Sequence, residues 1–280
     1  MGWHPETGFI PSDWWIYNEG MLVLLLALGS RTHPVAPSVW TEWTAAYDQS
    51  WTDAWGPPHL HFAPLFGHQY SHMFIDYRDI QDAWMRNKSR QIGERFDYFE
   101  NSRRAVYAQR KYAIDNTGGW AGYSADVWGL TACDGPGDFK QVIGGREREF
   151  FSYSARGPGD RDDGTIAPTA AAASIVFAPE IVVPAIKAMK ARYGAGIYTE
   201  YGFLDSFNPT LTEHPGRLQH GRIVPGVGWV DGDYLGIDQG PIVIMIENHR
   251  SDLVWRHMRE EPHIRRGLER AGFTGGWLNG

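Results

Sequence analysis

The chain has 280 residues, enough for one large domain or two small ones with a sizeable core. Its 42 % hydrophobic and 21 % charged residues exclude a disordered chain. A net charge of -7, with no block of Lys or Arg, excludes a protein that tracks a phosphate backbone.

The single cysteine, Cys133, leaves no internal disulfide, and no Cys/His spacing suggests zinc; it reads as a small buried residue. The longest apolar run, Met21 to Leu28, is too short to span a bilayer and follows no basic segment of the signal-peptide kind. With no polar face, it predicts a helix buried all round, with Asn18 as N-cap and Gly29 as C-cap. Further helices are predicted over 66–87 and 99–114, both half buried. Residues 116–165 are rich in Gly, Asp, Pro and aromatics and read as loop throughout. Helical pattern returns over 168–175, 178–193 (with Pro184 inside), 241–258 and 262–271. No repeat or low-complexity linker divides the chain, which predicts a single domain over 1–280, mostly helical, with long loops rich in chemistry.

Two loops precede apolar helices and carry an acid at the entrance: Glu19 in "YNEGMLVLLLALG" and Asp238 in "GIDQGPIVIMI", where Pro241 fits the first helical position. An acid there complements the helix dipole, which is reason enough for many such residues. In a barrel of antiparallel helices, however, such entrances cluster at one end, and two acids facing one cleft suit glycoside hydrolysis. A helix N-terminus lowers a carboxyl pKa, so burial among Trp14, Trp15 and Tyr17 would have to raise that of Glu19.

Thirteen tryptophans, many beside Asp, Asn or Gly, suit the alternating faces of a sugar. The acids Asp126, Asp134, Asp163, Glu200, Asp205, Asp231, Asp233 and Glu247 are each, singly, turn formers or structural acceptors. Together with Trp120, Tyr123, Trp128, Tyr201, Phe203 and Trp229 they read as a sugar-binding rim. Tyr17, Trp120, Tyr123, Trp128, Asp134, Glu200, Tyr201, Asp205, Trp229 and Gln239 are the expected substrate contacts. His68, His72, Asp76 and Asp79 follow helical spacing but lack an HExxH pattern, so no metal is expected. No nucleotide fingerprint and no GxSxG elbow is present, and no cofactor is expected.

Seven stretches resemble the bacterial glucoamylase-like (glycoamylase) domain family, related to endo-β-1,2-glucanases and to a domain of cyclic β-1,2-glucan synthases. They are "YNEGMLVLLLALGSRTHPV", "PLFGHQYSHMFIDYRDIQD", "YFENSRRAVYAQRKYAIDN", "GYSADVWGLTACDGP", "DGTIAPTAAAASIVFAPE", "YGFLDSFNP" and "LGIDQGPIVIMIENHRSDLVWRHM", in family order. The resemblance implies an all-α (α/α)6 toroid and hydrolysis or transfer of glucans, with β-1,2-linked glucose as the expected substrate. It carries the essential pair onto Glu19 as acid and Asp238 as base in an inverting scheme, with a retaining scheme open. The chain starts almost at the "YNE" element, which implies that the N-terminal half of the barrel is lacking or supplied by a partner or second segment. "IGGREREFFSYSARGPGDRD" and "EHPGRLQHGRIVPG" are longer than the family pattern suggests. The alternatives are exo-hydrolysis of an α-glucan and a non-catalytic glucan-binding fragment. The family suggests a periplasmic or secreted protein, though no signal is visible.

Overall fold

The computed structural model describes residues 2–11 and 14–279. Among the described residues ten helices form the framework: α1 (Met21–Gly29), α2 (Ser38–Thr44), α3 (Phe66–Phe74), α4 (Ala83–Ile92), α5 (Tyr98–Asp115), α6 (Pro168–Ala172), α7 (Pro179–Tyr193), α8 (Gly236–Ser251), α9 (Leu253–Glu260) and α10 (Pro262–Arg270). The chain is helix-rich, as expected, but strand pieces accompany the helices. Short antiparallel pairs of two to five residues fill many connections, including a three-stranded piece of Phe207–Asn208, Gly228–Val230 and Arg222–Val224. The 116–165 stretch, read as loop, holds a hairpin, Phe139–Ile143 against Arg146–Phe150, turned by Gly144 and Gly145 at positive φ. No described helix is long and apolar enough to cross a membrane.

The predicted helix over 66–87 is two helices. Ile75 leaves α3 in extended conformation, and Asp82 opens α4 by accepting the Met85 N–H at 2.8 Å. The same carboxylate takes Trp40 Nε1 at 2.8 Å and the Tyr98 hydroxyl at 2.7 Å, so one acid fixes three elements. The predicted 241–258 helix is likewise split, at Asp252, whose left-handed backbone ends α8 and starts α9.

Helix α1 is buried on one face only: Met21, Leu25 and Leu28 are in the core, while Val23 and Leu26 are 64 % and 48 % exposed. Its buried face meets α10 at backbone contact. A Cβ on Gly29 would lie 2.1 Å from the His263 carbonyl oxygen, and one on Gly267 2.2 Å from that of Leu25. Arg266 then closes the end of α1, donating through Nε to the Gly29 carbonyl at 2.8 Å.

Helix α3 is the hub for the polar ties that position the rest. Gln69 donates to the Ala170 carbonyl of α6 at 2.8 Å, the Trp255 indole of α9 donates to the His72 carbonyl at 2.6 Å, and Asn248 of α8 donates to the Met73 carbonyl at 3.0 Å. Two cores flank it. One gathers Trp128, Phe177, Phe207 and Met245, the other Tyr17, Met21, Tyr47, Tyr77 and Leu268.

Candidate active site

Glu19 sits in the turn before α1. Asn18 is not the N-cap, which is Gly20; instead Asn18 Oδ1 accepts the Gly20 N–H at 2.8 Å, while its amide donates to the Trp15 and Ile16 carbonyls. The Ser71 hydroxyl of α3 donates to the Glu19 carbonyl at 3.2 Å, fixing the turn on the hub helix. Burial, opposed only by a hydrogen bond to the backbone, pushes the Glu19 carboxyl up to about 7, and its Oε2 is buried without a partner. The expected wall of Trp14 and Trp15 does not cause this: they are 52 % and 55 % exposed, and only Tyr17 is buried. The Tyr17 hydroxyl is bonded to Ser102, which bonds in turn to His72 Nε2, so Tyr17 is packing beneath the turn.

Asp238 lies in the first turn of α8, since the helix begins at Gly236 and not at Pro241. Proline inside a helix removes a donor to the carbonyl four residues earlier, which here is Ile237. The Tyr70 hydroxyl of α3 reaches that freed carbonyl at 3.4 Å. Tyr70 is thereby brought to the entrance of α8. Burial raises its hydroxyl pKa, and the charges of Asp238, Glu19, Tyr153 and Asp205 raise it further. The exposed Tyr153 hydroxyl is raised by burial, then by Cys133, Asp134, Asp205 and Glu19. Tyr70 and Ser71, adjacent on α3, thus bond to the Ile237 and Glu19 carbonyls, which brings the turns that carry Asp238 and Glu19 to the same stretch of that helix.

Asp205 is the partner of Asp238. Its Oδ2 accepts the Asp134 N–H at 2.9 Å and, more weakly, the Ser206 hydroxyl at 3.4 Å. Asp205 Oδ1 and Asp238 Oδ2 are both buried with no donor. Two carboxylates in contact cannot both ionise cheaply, and burial followed by the Asp238 charge raises the Asp205 pKa. Burial raises Asp238 as well, but the hydrogen bond from Asp205 works the other way and favours its ionised form. The two carboxyls therefore titrate as a pair, raised together by burial and by each other. Thr169 of α6 holds the Asp238 carbonyl at 3.1 Å, so the pair is anchored from behind. Asp134, Asp205 and Asp231 also bring carboxylate oxygens within 4.8 Å of one another, a spacing that a divalent cation or shared protons could bridge.

The expected aromatic rim is redistributed. Trp128 and Trp229 are fully buried, Trp229 donating to the His220 carbonyl at 2.8 Å. Trp120 and Tyr123 are buried against Asp162, which accepts the Trp120 indole at 2.8 Å and the Tyr123 hydroxyl at 2.6 Å. These four are packing, not an open rim. Of the expected rim aromatics Tyr201 is the exposed one, at 69 % in the turn it shares with Glu200, and Tyr234 meets it edge to face at 5.4 Å. Gln239 is bound to the Phe203 carbonyl at 2.7 Å and ties this hairpin to α8. Tyr70, Tyr153 and Tyr234 were not singled out from the sequence. Only Pro241 hinted at Tyr70, through the carbonyl it leaves free.

Among the remaining acids, Asp126 is exposed, Glu247 pairs with Arg250 at 3.5 Å, and Asp163 is buried against Arg156 at 2.8 Å. Asp76 pairs with Arg78, while His68 and His72 are buried in the aromatic core with Tyr17 and Tyr77; the four residues do not converge on one point.

The model of the Glycoamylase family, described as "Putative glucoamylase", matches residues 11–262. An exo β-1,2-glucooligosaccharide sophorohydrolase (non-reducing end) of Parabacteroides distasonis is 27 % identical over 96 % of this chain, which spans 35 % of that protein. A crystal structure described as a "putative glucoamylase" from Bacteroides uniformis superposes with a TM-score of 0.78 at 34 % identity, covering 99 % of this chain and 59 % of that one. An endo-β-1,2-glucanase from Chitinophaga pinensis, in complex with sophorotriose and glucose, gives 0.77 at 28 % identity, with the same coverage of both chains. The chain thus spans little more than half the length of these solved relatives, and about a third of the sophorohydrolase.

Proposed function

The chain belongs to the Glycoamylase family, and from that premise we propose that it hydrolyses the glycosidic bonds of a β-1,2-glucan, with Glu19 as general acid and Asp238 as general base. What supports this reading is that adjacent residues of α3 hold the turns of Asp238 and Glu19, and that the two acids differ in what surrounds their carboxyls. Glu19, raised to about 7 by burial, keeps its proton into the neutral range, while Asp238, also raised by burial, has the hydrogen bond of Asp205 favouring its ionised form. Glu19 gives its proton to the glycosidic oxygen as the C1–O bond breaks. Asp238 takes a proton from the water whose oxygen bonds to C1 from the opposite face, so the reaction inverts the anomeric centre. Tyr201 and Tyr234 offer rings to a sugar at the mouth, and Asp134, Asp231 and Glu200 offer acceptors for its hydroxyls. The linkage is carried over from the relatives, whose names specify β-1,2-glucans.

Product analysis of the purified chain on linear β-1,2-glucan, with soluble starch alongside, tests this. Short β-1,2 oligosaccharides are expected, initially with inverted anomeric configuration by NMR. Products from starch alone would replace the reading with α-glucan exo-hydrolysis.

A second reading has its own support. Val23 and Leu26 on α1, and Ile237 and Val243 on α8, leave apolar rows exposed on two helices that enter the cleft. In an (α/α)6 toroid such rows are covered by neighbouring helices, so a further segment or partner would complete the barrel here. Light scattering tests it: a soluble, folded monomer that cleaves glucan unaided would argue against a required second part.

A further inference from the structure

The segment 143–162, longer than the family pattern suggests, touches the surroundings of Glu19 and Asp205 only through Tyr153. It lines a separate cavity of about 430 Å³ with three arginines, Arg146, Arg148 and Arg161. The hairpin register puts Arg146 and Arg148 on one face of their strand, turned to the Gly118–Gly119 backbone. Glu147 and Glu149 also border the cavity, but the alternation of the strand turns them to the face that carries Lys140, which pairs with Glu147 at 3.8 Å. The third acid, Asp162, is occupied by Tyr112, Trp120, Tyr123 and the Gly164 N–H. Within the same segment Arg156 has a carboxylate partner, Asp163, at 2.8 Å. Among the described residues, Arg146, Arg148 and Arg161 have none at ion-pair distance.

What they do have is rigid placement. The Arg148 guanidinium lies 4.1 Å from the centre of the Trp120 ring and donates to the Gly118 and Gly119 carbonyls at 2.5 and 2.8 Å. It is nine-tenths buried, and its Nε is left without an acceptor. Arg161 lies 4.2 Å from the Phe151 ring and is held by the Ser154 hydroxyl, while Arg146 shares the Gly118 carbonyl at 2.7 Å. Burial, then the charge of Arg146, lowers the Arg148 pKa, so positive charge is crowded here. Most of the N–H donors of the three side chains remain unspent.

We propose that this cavity is a second binding site, which takes a phosphate group through Arg146, Arg148 and Arg161. Three guanidiniums set around one space match the several acceptor oxygens of a tetrahedral dianion better than a planar carboxylate, which one bidentate arginine already satisfies. The group is either free phosphate or a phosphate ester on a sugar, and the two are separable. The site is independent of the glucan-hydrolysis reading.

Isothermal titration of the full chain at low ionic strength tests it with inorganic phosphate, glucose 1-phosphate and glucose as probes. The variant is Arg146→Gln with Arg161→Gln, because both side chains are exposed; Arg148 is left intact because it supports the Gly118–Gly119 turn. Phosphate is expected to bind, and the double variant to weaken it at least tenfold with an unchanged thermal midpoint in phosphate-free buffer. Tighter binding of glucose 1-phosphate than of phosphate, also lost in the variant, identifies an ester as the ligand; equal affinity identifies the free ion. No phosphate binding, or binding that the double variant leaves unchanged, overturns the proposal.

Discussion

Two sets of buried acids in this molecule are handled in opposite ways. Asp163 is sealed in the core, and both of its oxygens are taken: Arg156 reaches them through Nε and Nη2, each at 2.8 Å, and the Phe151 and Thr165 N–H groups complete the set at 3.0 Å. Asp205 and Asp238 are nearly as buried and Glu19 partly so, but among the described residues none pairs with a cation; each keeps a buried oxygen without a donor, and their pKa values rise. A charge that only had to be tolerated would be neutralised as Asp163 is. Leaving three acids uncompensated costs stability and moves their pKa values up toward the neutral range, the setting in which a carboxyl can serve acid or base chemistry.

The contrast can be broken by substitution. Asp238→Asn is expected to lower turnover of linear β-1,2-glucan by about 10²- to 10⁴-fold, the usual worth of a general base, with no loss of stability. Asp163→Asn should do the reverse, costing roughly 3–5 kcal/mol in denaturant unfolding, because Arg156 would be left buried without a counter-charge. A stable Asp163→Asn protein, or an unstable Asp238→Asn one, would erase the distinction.

The pH dependence sharpens it. A carboxyl raised by folding binds its proton more tightly folded than unfolded, so its contribution is present at low pH and lost as pH rises. For Glu19 the window runs from about 4.5 to about 7, so stability should fall across it and Glu19→Gln should flatten the slope. The basic limb of kcat/KM should fall near pH 7, as the acid loses its proton. The smallest effect concerns the rim. Tyr201→Ala should raise KM by a few-fold, in keeping with the loss of about 0.5–1.5 kcal/mol of ring contact, while kcat stays near wild type.

Much of the framework was legible because apolar periodicity and caps are local. The misreadings came where a tertiary partner decided the outcome. Pro241 looked like a first helical residue, yet α8 starts five residues earlier because Tyr70 accommodates the carbonyl that the proline leaves free. The run after Glu19 looked buried on all sides because its composition says nothing of Val23 and Leu26 facing outward. Glu19 and Asp238 stood out as acids beside apolar helices. Asp205 did not stand out as the partner of Asp238, since a carboxyl pair 33 positions apart leaves no local trace. The tryptophans were read as a sugar platform from their neighbours, but Trp120 and Trp229 spend their N–H groups on Asp162 and the His220 carbonyl inside the core.

The most direct test is the rate of oligosaccharide release from linear β-1,2-glucan by Glu19→Gln beside the wild-type chain, with the thermal midpoints of both recorded at pH 7. The account predicts a loss of at least a hundredfold in rate with a midpoint equal to or above wild type. Near-native release by the variant would show that the uncompensated acid before α1 is not the proton donor, and would contradict the assignment at its centre.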